Sequence, residues 1–480
     1  MITIIGLGNE LGDLTKKGEE KILEAAKNGD KILVRTAFTR SYEQVKALKV
    51  PHETLDFVYE KSRTFESLAK NLAKAVKEAG ENAVYLVDGA PSEDTSVKVL
   101  LKSLRSKVEI IGGVSKITQI AQAANFKNCS YNAVSAYDLY AKQRENLTLP
   151  LLVYDMDAPD LASDCKLILG NLFGEEMQVK YIVNGKAKTL PLYELDRQKF
   201  YDYSSAVAIE EIELLQKNRF SLEDLQEIIF RLRAPNGCPW DRVQTNASIK
   251  MSAVEEAYEL VDAIDQGDDE KILEEAGDIL MQSVFHAVLK EETGAFNLTD
   301  VVTAVCQKLI TRHTHVFGED HAKDDQGALN VWEKNKMSEK NQVTFADAVN
   351  DVPKCFPALM RAQKVGKRAA KAGMDFANAN DAAVRVEEEL KEFFSAVEKG
   401  NPTEAEKEIG DVLFAVVNVG RLCGCDLEKA LKESVERFAK RFTLAEKYAL
   451  QDCNDVTKLT AEAWDEYYKK AKEELCNETL

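Results

Sequence analysis

The order of apolar and polar positions divides the chain into two textures. From residue 1 to about residue 215, short apolar runs alternate with amphipathic stretches. The runs predict buried strands and the stretches predict helices between them, which indicates an α/β layer fold with a largely parallel sheet. The predicted strands are Ile2–Leu7, Lys31–Arg35, Ala83–Val87, Val108–Ile111 and Leu149–Tyr154, and the predicted helices between them include Lys17–Asn28 and Thr64–Glu78.

Two further runs near the end of this α/β region alternate in the manner of strands. They are Val179–Asn184 and Lys186–Pro191, and a single glycine, Gly185, separates them. Two strand-like runs joined by a short turn that contains glycine predict a β-hairpin. Some antiparallel pairing is therefore expected in this region.

The pattern changes at about residue 220. Strand-like runs end there, and long amphipathic segments rich in Ala, Glu, Lys and Leu continue to about residue 475. Ser221 and Asp224 form a capping-box pattern, with Asp in place of the usual Glu, which predicts the start of a helix. The chain is therefore expected to be multidomain, with an α/β domain followed by an all-α part.

The all-α part contains an internal duplication. Residues 254–288 and 387–420 each carry E-E-x-x-E, a short turn with glycine, and E-x-G-D before an apolar run. Sixteen positions separate Glu259 from Glu275 in the first copy, and sixteen separate the corresponding glutamates of the second. Equal spacing predicts two copies of one helical unit. The expected domains are 1–215, 220–342 and 353–476, with the copies separated near Val343–Val352.

Acidic side chains concentrate in the first copy. Residues 251–280 hold eleven acidic side chains and one basic side chain, that of Lys271. Most runs of charge form only a solvated helical face. Here, however, positions i, i+3 and i+4 share one face of a helix, which places Glu255, Glu256 and Glu259 together.

The next helix carries a second acidic face, formed by Glu275 and Asp278. A turn near Gly267 would fold the two helices antiparallel and bring the two faces together. One pair of carboxylates about 4 Å apart repels by about 4 kcal/mol at an effective dielectric near 20. A bound divalent cation offsets that repulsion, and all-oxygen ligation favours Mg²⁺ or Mn²⁺ over zinc. Magnesium held in this way typically binds the phosphates of a substrate.

Phosphates also need cations from the protein. Lys308 and Arg312 are spaced i, i+4 in the next helical segment, and Arg437 and Arg441 have the same spacing in the second copy. Taken alone, these are ordinary surface pairs. Beside an acidic metal cluster in each copy, they match the other half of a triphosphate site.

Composition narrows the function classes further. The chain has 480 residues and a formal charge of −18, which argues against a clamp on duplex nucleic acid. No apolar run reaches the length of a membrane span, and no signal peptide is visible. The nine cysteines are scattered, as expected for free thiols in a cytoplasmic protein without a membrane partner.

The motifs of both copies resemble MazG-type nucleoside triphosphate pyrophosphohydrolases over about residues 220–475. The first copy contributes NGCPWDRVQTNASI, EEAYELVDAIDQGD, LEEAGDILMQSVFHAV and KLITRHTHVFGE, and the second contributes VEEELKEFFSAV and EKEIGDVLFAVVNVGRLCG. The resemblance implies an all-α bundle that is usually a homodimer and uses Mg²⁺. It also implies hydrolysis of a nucleoside triphosphate between its α- and β-phosphates, which gives a nucleoside monophosphate and diphosphate.

The resemblance also implies roles for individual residues. In the first copy the metal ligands are Glu256, Glu259, Glu275 and Asp278, with Glu255 as a neighbour, the phosphate contacts are Lys271, Lys308 and Arg312, and Trp332 is a base or loop contact. In the second copy the ligands are Glu389, Glu392, Glu408 and Asp411, and Arg437, Arg441 and Trp464 match the cationic and aromatic positions.

Each copy departs from the family pattern at one position. In the second copy Glu404 stands at the position of Lys271, although Lys407 is close enough in sequence to compensate. In the first copy Asn246 stands where the family usually has histidine. Neither change removes a metal ligand, and the first copy is expected to be the fuller site.

Four loops of the α/β region follow or adjoin predicted strands, and they contain Gly6-Leu-Gly8, Gly12-Asp13, Asp88-Gly-Ala-Pro91 and Gly112-Gly-Val-Ser115. With these loops, residues 1 to about 215 resemble tetrapyrrole (corrin/porphyrin) methylases. The resemblance implies a cleft for S-adenosylmethionine between two α/β subdomains. In this sequence Asn9, Glu10 and Leu11 separate Gly8 from Gly12-Asp13, whereas the family motif G-x-G-P-G-D has a single proline there. The cofactor-binding residues implied are Gly6, Gly8, Asp88, Gly112 and Ser115.

Three functions stay open at this point. The first is a pyrophosphohydrolase with an attached methylase-like domain, serving to clean the nucleotide pool. The second is a bifunctional methyltransferase and pyrophosphohydrolase. The third is a non-catalytic scaffold that dimerises through its α part, and the complete carboxylate set argues against it.

Overall fold

The computed structural model describes residues 1–62, 64–104, 108–142, 147–339, 344–452 and 455–477. The chain divides into two compact units, Met1–Leu298 and Thr299–Leu480. The predicted order, an α/β region followed by an all-helical part, is confirmed. The end of the first helical copy at residue 342, and Val343 beside it, lie outside the described residues, so those boundaries stay predictions.

The first sheet is fully parallel. Its strand order is β3-β2-β4-β1-β5, so the chain crosses over between most neighbouring strands, as a parallel sheet requires. All residues of its central strands are buried, because helices cover such a sheet on both faces. The strands are β1 (Thr3–Gly6), β2 (Ile32–Val34), β3 (Glu53–Thr54), β4 (Val84–Val87) and β5 (Glu109–Ile111).

The second sheet is mixed, with the order β6-β7-β10-β8-β9. One pair, β6 with β7, is parallel, and the other pairs are antiparallel. The predicted hairpin is confirmed, and its two-residue turn has Asn184 and Gly185 at φ 52° and 70°, the left-handed values that such turns need. The strands are β6 (Asn132–Ser135), β7 (Leu151–Tyr154), β8 (Gln178–Val183), β9 (Lys186–Pro191) and β10 (Ala206–Ile209).

Helices connect the strands of both sheets. The predicted helix over Lys17–Asn28 begins one residue earlier, where the Thr15 side chain accepts a hydrogen bond from the Gly18 amide. The predicted helix Thr64–Glu78 begins after Thr64, which is its N-cap. The helices are α1 (Lys16–Asn28), α2 (Tyr42–Leu48), α3 (Asp56–Lys61), α4 (Phe65–Glu78), α5 (Thr95–Ser103), α6 (Lys116–Ala124), α7 (Ala136–Lys142) and α8 (Pro159–Phe173).

The sequence pattern did not predict three of the strands, β3, β6 and β10. β3 has only two residues, too few for a periodic signal. β6 begins with two exposed residues at a sheet edge, and β10 is a four-residue run buried between two antiparallel partners. The predicted strands themselves are confirmed, with ends that differ from the prediction by at most two residues.

The rest of the described chain is helical and contains no strand after Ile209. The capping box at Ser221 and Asp224 is confirmed. None of the helices in these described ranges has the length and apolarity needed to cross a membrane. The helices are α9 (Leu222–Arg233), α10 (Pro239–Val243), α11 (Ser252–Gln266), α12 (Asp269–Glu291), α13 (Leu298–Arg312), α14 (Thr314–Phe317), α15 (Asp325–Glu339), α16 (Phe345–Asn350), α17 (Ala358–Ala370), α18 (Ala379–Glu398), α19 (Pro402–Leu422), α20 (Leu427–Asp452) and α21 (Ala461–Asn477).

Candidate functional site

Helices α11 and α12 form the frame of the first candidate site. Gly267, at φ 69°, ends α11 in the left-handed conformation that glycine adopts without strain. The Asp268 side chain accepts a hydrogen bond of 3.1 Å from the Lys271 amide and starts α12. A two-residue connection makes the helices antiparallel neighbours, so their acidic faces meet as predicted.

Three carboxylates converge on this helix pair. Glu256 and Glu259 on α11 and Glu275 on α12 each present an oxygen within 4.8 Å of the others, and we call these three the first cluster. Glu256 and Glu275 are half-buried, and Glu259 is exposed. Asp278 stands outside the three, but its charge acts on both Glu256 and Glu275.

The crowding shifts the ionisation of the first cluster. Loss of hydration raises the pKa of Glu256 above its usual value, and the charges of Asp278 and Glu259 raise it further. Loss of hydration and the charge of Glu259 likewise raise the pKa of Glu275. Within the described part of the unit Met1–Leu298, no lysine or arginine forms an ion pair with these carboxylates, so a bound cation would relieve this repulsion.

Gln282, a neighbour of the first cluster, was not predicted from the sequence. Gln282 on α12 is 9% exposed, and its side-chain amide acts on Glu256 in the sense that favours the charged carboxylate. The signal that could have found Gln282 is its spacing of four residues from Asp278, which places both on one helix face. A buried amide fixing a carboxylate is a common device around metal ligands.

The three cationic residues predicted for the first copy differ from one another in burial. Lys271 is exposed in the first turn of α12, and Lys308 is exposed on α13. Arg312 is buried and pairs with Glu339 at 2.7 Å between Nε and Oε2, and its guanidinium lies 5.4 Å from the centre of the Trp332 ring. Arg312 and Trp332 therefore contact each other and Glu339 in this structure.

Asn246, the residue that replaces the family's histidine, also has a structural partner. Its Oδ1 lies 2.7 Å from Nδ1 of His286 on α12. Loss of hydration lowers the pKa of His286 below its usual value, which favours the neutral ring. The Asn246 side chain thus ties the segment before α11 to α12.

The second copy builds an equivalent cluster on α18 and α19. Oxygens of Glu389, Glu408 and Asp411 lie within 4.8 Å of one another, and we call these three the second cluster. Glu392, a predicted ligand, is exposed and is not part of this group. Glu389 and Glu408 are buried, with 6% and 4% of their surface exposed, so the second cluster is less accessible than the first.

The second cluster already has cationic partners from its own chain. Arg385 Nη2 lies 2.6 Å from Glu389 Oε1, and Lys407 Nζ lies 2.8 Å from Glu408 Oε1. The hydrogen bond from Lys407 lowers the pKa of Glu408 below its usual value. The sequence signals for both pairs were present, since Arg385 precedes Glu389 by one helical turn and Lys407 adjoins Glu408.

A cavity of about 510 Å³ opens beside the second cluster. Arg421 on its wall pairs with Asp375, at 3.1 Å between Nη1 and Oδ2, and donates to Asn418 Oδ1 at 3.3 Å. The walls are mostly apolar, and they are formed by Val365, Gly366, Ala369, Met374, Asp375, Phe376, Arg385, Glu389, Asp411, Phe414, Ala415, Asn418 and Arg421.

The remaining residues predicted for the second copy lie on α20 and α21. Arg437 is exposed and pairs weakly with Glu433, at 3.7 Å between Nη1 and Oε2. Arg441 is half-buried on the same helix. Trp464 stacks on Phe442 with ring centres 5.4 Å apart, which ties α21 to α20.

The glycine loops of the α/β region pack mainly against each other. A Cβ atom on Gly6 would lie 2.6 Å from the Gly89 carbonyl oxygen and 2.7 Å from the Gly113 amide, so glycine is needed for contact between loops. Gly8 has φ 74°, which also favours glycine. Gly112 faces open space, the position at which a ligand could approach the backbone.

Asp88 and Ser115, the two polar residues predicted to bind the cofactor, form hydrogen bonds with other residues of the protein. Asp88 Oδ1 accepts from Arg35 Nη1 at 2.8 Å, and Arg35 lowers the pKa of Asp88 against the effect of burial. Ser115 caps α6, since its Oγ accepts from the Thr118 amide at 3.0 Å, and its hydroxyl donates to Glu93.

Comparisons with known proteins agree with the duplicated helix pairs. The family model of the MazG nucleotide pyrophosphohydrolase domain matches residues 244–317 and 380–443, one segment in each copy. The chain is 34% identical over 492 residues to the uncharacterized protein YabN of Bacillus subtilis, with 98% of each chain covered. It is 38% identical over 250 residues to the nucleoside triphosphate pyrophosphohydrolase/pyrophosphatase MazG of Thermotoga maritima, which covers 52% of this chain and 95% of that protein.

Among solved structures, the chain is similar to a precorrin-6Y methylase of cobalamin biosynthesis from Archaeoglobus fulgidus. The identity is 16%, the TM-score is 0.32, and the match covers 44% of this chain and 99% of that one. The family assignment rests on the sequence matches alone, which extend over nearly the whole length of both relatives. Through its two copies of the carboxylate-bearing helix pair, the chain belongs to the MazG family of nucleotide pyrophosphohydrolases.

Proposed function

We propose that this chain is a divalent-metal-dependent nucleoside triphosphate pyrophosphohydrolase that releases a nucleoside monophosphate and diphosphate. The observation that carries the proposal is the first cluster, three carboxylates within 4.8 Å and without a lysine or arginine partner in the described part of their unit. The name of the Thermotoga maritima relative supports the same class of substrate. The cellular role we propose is removal of unwanted triphosphates from the nucleotide pool.

The donor set of the first cluster fits Mg²⁺ or Mn²⁺. All donors are carboxylate oxygens, which hard divalent cations prefer, and the partial exposure of Glu256, Glu259 and Glu275 leaves room for water and phosphate ligands. A metal ion held by these residues would polarise phosphate oxygens and would lower the pKa of bound water. We propose Asp278, whose charge acts on both Glu256 and Glu275, as a further ligand or as the group that accepts a proton from water.

Lys271 is the residue best suited to receive the anionic end of the substrate. It occupies the first turn of α12, where the helix dipole disfavours a positive charge by about 0.3–1 kcal/mol. A lysine in this position does not stabilise the helix. Lys271 also lies one helical turn from Glu275, a member of the first cluster. We therefore assign Lys271 to phosphate binding, and the roles that the family resemblance implies for Lys308 and Arg312 stay predictions.

Methyl transfer by the α/β region is a second candidate, and one observation supports ligand binding there. Gly112 faces open space at the end of β5. S-adenosylmethionine carries a sulfonium, an ammonium and a carboxylate, and the carboxylates of this region fit its cationic groups. The cations Arg35 and Lys116 are already ion-paired, so neither is available to its carboxylate without breaking an ion pair. The bifunctional enzyme and the homodimer stay predictions.

The test of the proposed hydrolase is a screen for diphosphate release. The full chain is incubated with canonical and chemically damaged nucleoside triphosphates in the presence of Mg²⁺, and the nucleotide product is identified. Release of diphosphate with a monophosphate is expected for at least one substrate. No release from any of them would contradict the proposal.

Variants then assign the activity to the first cluster. Glu256→Gln keeps the shape of the side chain and removes its charge, and it is made in a chain that already carries Glu408→Gln and Asp411→Asn. Loss of most remaining activity is expected. Glu274→Gln is the matched control, since Glu274 is exposed beside Glu275 but is not part of the cluster. Equal turnover of the Glu256→Gln and Glu274→Gln chains would contradict the site while leaving the reaction itself intact.

A further inference from the structure

Residues of helices α15, α16 and α17 and of the turns beside them line a cavity of about 290 Å³, which we call the basic pocket. All of these residues belong to the unit Thr299–Leu480. Two carboxylates, those of Glu333 and Asp351, stand on its walls, and the cations outnumber them by five to two. The cations that line the basic pocket are those of Lys336, Lys364, Lys367, Arg368 and Lys371.

The excess of positive charge comes from one segment of the sequence. Residues 354–371 contain six lysines and arginines and no aspartate or glutamate, in a chain with a formal charge of −18. In the first copy α9 packs on α12 as α17 packs on α19 in the second, yet α9 carries Glu223, Asp224 and Glu227 beside its two arginines. The basic character therefore belongs to the second copy and is not required by the helix frame that the two copies share.

Both carboxylates of the basic pocket pair with cations of the pocket itself. The Lys371 ammonium pairs with Glu333 on α15. Arg368 Nη1 lies 3.5 Å from Asp351 Oδ2 and also donates to the carbonyl oxygen of Ala348 on α16. These contacts tie α17 to α15 and to α16, so the walls of the pocket are held in place by the protein alone.

Lys364 and Lys367 line the same cavity, but neither forms an ion pair with any residue that the structure describes. Both are exposed, and the Lys364 ammonium lies 5.7 Å from the centre of the Phe356 ring. They are three positions apart on α17, so they share a helix face, where like charges repel each other. An anion bound between the two ammonium groups would relieve that repulsion.

The size and the walls of the basic pocket favour a ligand recognised by its charge. A volume of about 290 Å³ is at the lower end for pockets that hold small ligands, so a chain of phosphates fits better than a whole nucleotide. The ring of Trp332 already has the Lys336 ammonium 4.8 Å and the Arg312 guanidinium 5.4 Å from its centre, so it serves to hold cations. Lysine ammonium groups are common partners of phosphate.

We propose that the basic pocket binds a short chain of phosphates, either a free inorganic oligophosphate or the phosphate tail of a nucleotide. Lys364 and Lys367 are its main contacts. None of the residues that line the basic pocket belongs to the first or the second cluster, and the site needs no metal ion. The proposal therefore goes beyond the hydrolase function and does not depend on it.

Isothermal titration calorimetry on the full chain tests the ligand class. The buffer is free of divalent metal and contains about 0.15 M salt, which screens diffuse attraction beyond about 8 Å. Tripolyphosphate is expected to bind at one site, and citrate, a polyanion without phosphate, is expected to bind at least about tenfold more weakly. No binding of tripolyphosphate, or equal binding of citrate, would overturn the proposal.

ATP in the same buffer distinguishes the two sources of the phosphates. Binding comparable to that of tripolyphosphate would mean that the tail of a nucleotide is accepted, and weaker binding would restrict the ligand to free oligophosphates. Binding of ATP tighter than that of tripolyphosphate would show that the nucleoside is recognised, and it would overturn the assignment to phosphates alone.

Variants separate the basic pocket from other lysines of the chain. Lys364→Gln with Lys367→Gln is expected to weaken tripolyphosphate binding by about 100-fold, about tenfold for each lost charge-assisted hydrogen bond. Lys469→Gln with Lys472→Gln makes the same change at exposed positions of equal spacing on α21 and is expected to change little. Equal weakening by the two pairs would mean diffuse attraction and would refute the basic pocket as a site.

Thermal denaturation shows that a loss of binding is not a loss of folding. Without ligand, the chain with Lys364→Gln and Lys367→Gln should be at least as stable as the unaltered chain, because it loses only repulsion between like charges. Tripolyphosphate should raise the Tm of the unaltered chain and leave that of the variant unchanged. Lys364→Arg with Lys367→Arg keeps both charges and should restore the rise, and an equal rise in Tm for the glutamine variant would contradict the proposal.

Discussion

The first and second clusters have the same helix frame but differ in the number of cations that pair with their carboxylates. In the second, Arg385 and Lys407 pair with the carboxylates. The matching positions in the first copy, 133 residues earlier as Glu275 is to Glu408, are Ser252 and Glu274, and neither supplies a cation. The duplication therefore produced one cluster that needs an external cation and one in which two of the three carboxylates are paired with cations of the chain itself.

Burial explains why the second cluster requires those partners. Glu389 and Glu408 are almost fully buried, whereas Glu256, Glu259 and Glu275 are exposed or half-buried. A buried carboxylate without a partner is strongly destabilising, so Arg385 and Lys407 allow the second copy to fold without metal. A divalent ion entering the second cluster has to compete with both cations, and one entering the first does not.

The cavity beside the second cluster has its origin in the same divergence. Phe285 and Val288 are buried in the core of the first copy, where they pack with Ile229. The corresponding positions of the second copy are Asn418 and Arg421, which line the cavity instead of filling it. The cavity therefore lies in the copy in which two of the three clustered carboxylates are already paired, at the two positions where polar residues stand in place of core side chains.

The largest expected effect separates the two clusters by activity. Glu275→Gln is expected to lower kcat/KM for diphosphate release by about 100-fold, because a metal ligand is lost from the open cluster. Glu408→Gln is expected to leave the rate within about twofold, since its charge is already paired. Both are measured on the full chain with Mg²⁺. A greater loss from Glu408→Gln would reverse the roles given to the two copies.

The next effect comes from giving the first cluster the cations of the second. Ser252→Arg with Glu274→Lys is expected to weaken Mn²⁺ binding to the first cluster by about 10- to 100-fold, because the metal then competes with ion pairs. Binding is followed by electron paramagnetic resonance of free Mn²⁺, with Glu408→Gln and Asp411→Asn present to silence the second cluster. Ser283→Arg with Glu270→Lys makes the same change of charge at exposed positions on α12 and serves as the control. Similar weakening by both pairs would show that net charge, not position, matters.

A smaller effect is expected on stability. Arg385→Ala should lower the free energy of unfolding without metal, because the buried carboxylate of Glu389 loses its cation. Mn²⁺ should then recover the loss. Ser252→Ala, the matched change in the first copy, should have little effect. Chemical denaturation with and without Mn²⁺ measures both, and a failure of Mn²⁺ to restore stability would mean that the second cluster does not accept metal.

Much of this frame could be predicted from residue spacing. The convergence of Glu256, Glu259 and Glu275 follows from helical periodicity and from a turn at Gly267, both of which are local properties. The duplication was likewise visible as equal spacing. Short strands such as Glu53–Thr54 were not predicted, because their existence depends on a neighbouring strand rather than on their own pattern.

Charge balance was harder to predict than convergence. Arg385 and Lys407 are ordinary members of charged helices, and their role depends on the burial of Glu389 and Glu408, which spacing alone does not give. Glu392 matches a metal-ligand position in the family motif but is exposed, outside the second cluster. Which members of a carboxylate set meet is decided by the rotation of two helices against each other, a tertiary property.

The smallest expected effect concerns Lys271 and Glu404, the matched residues in the first turns of α12 and α19. Each amide hydrogen-bonds the N-cap of its helix, so the backbone geometry is the same and only the charge differs. Lys271→Glu should raise KM for the triphosphate by about 2- to 5-fold with kcat little changed, since an exposed charge near the phosphates contributes weakly. The same change should stabilise the helix by about 0.3–1 kcal/mol, because a negative charge suits this end of the dipole. Glu404→Lys is the reciprocal control and should leave KM unchanged, because the proposed reaction takes place in the other copy. An unchanged KM for Lys271→Glu, together with the gain in stability, would show that the lysine does not contact the substrate and would remove it from the first site.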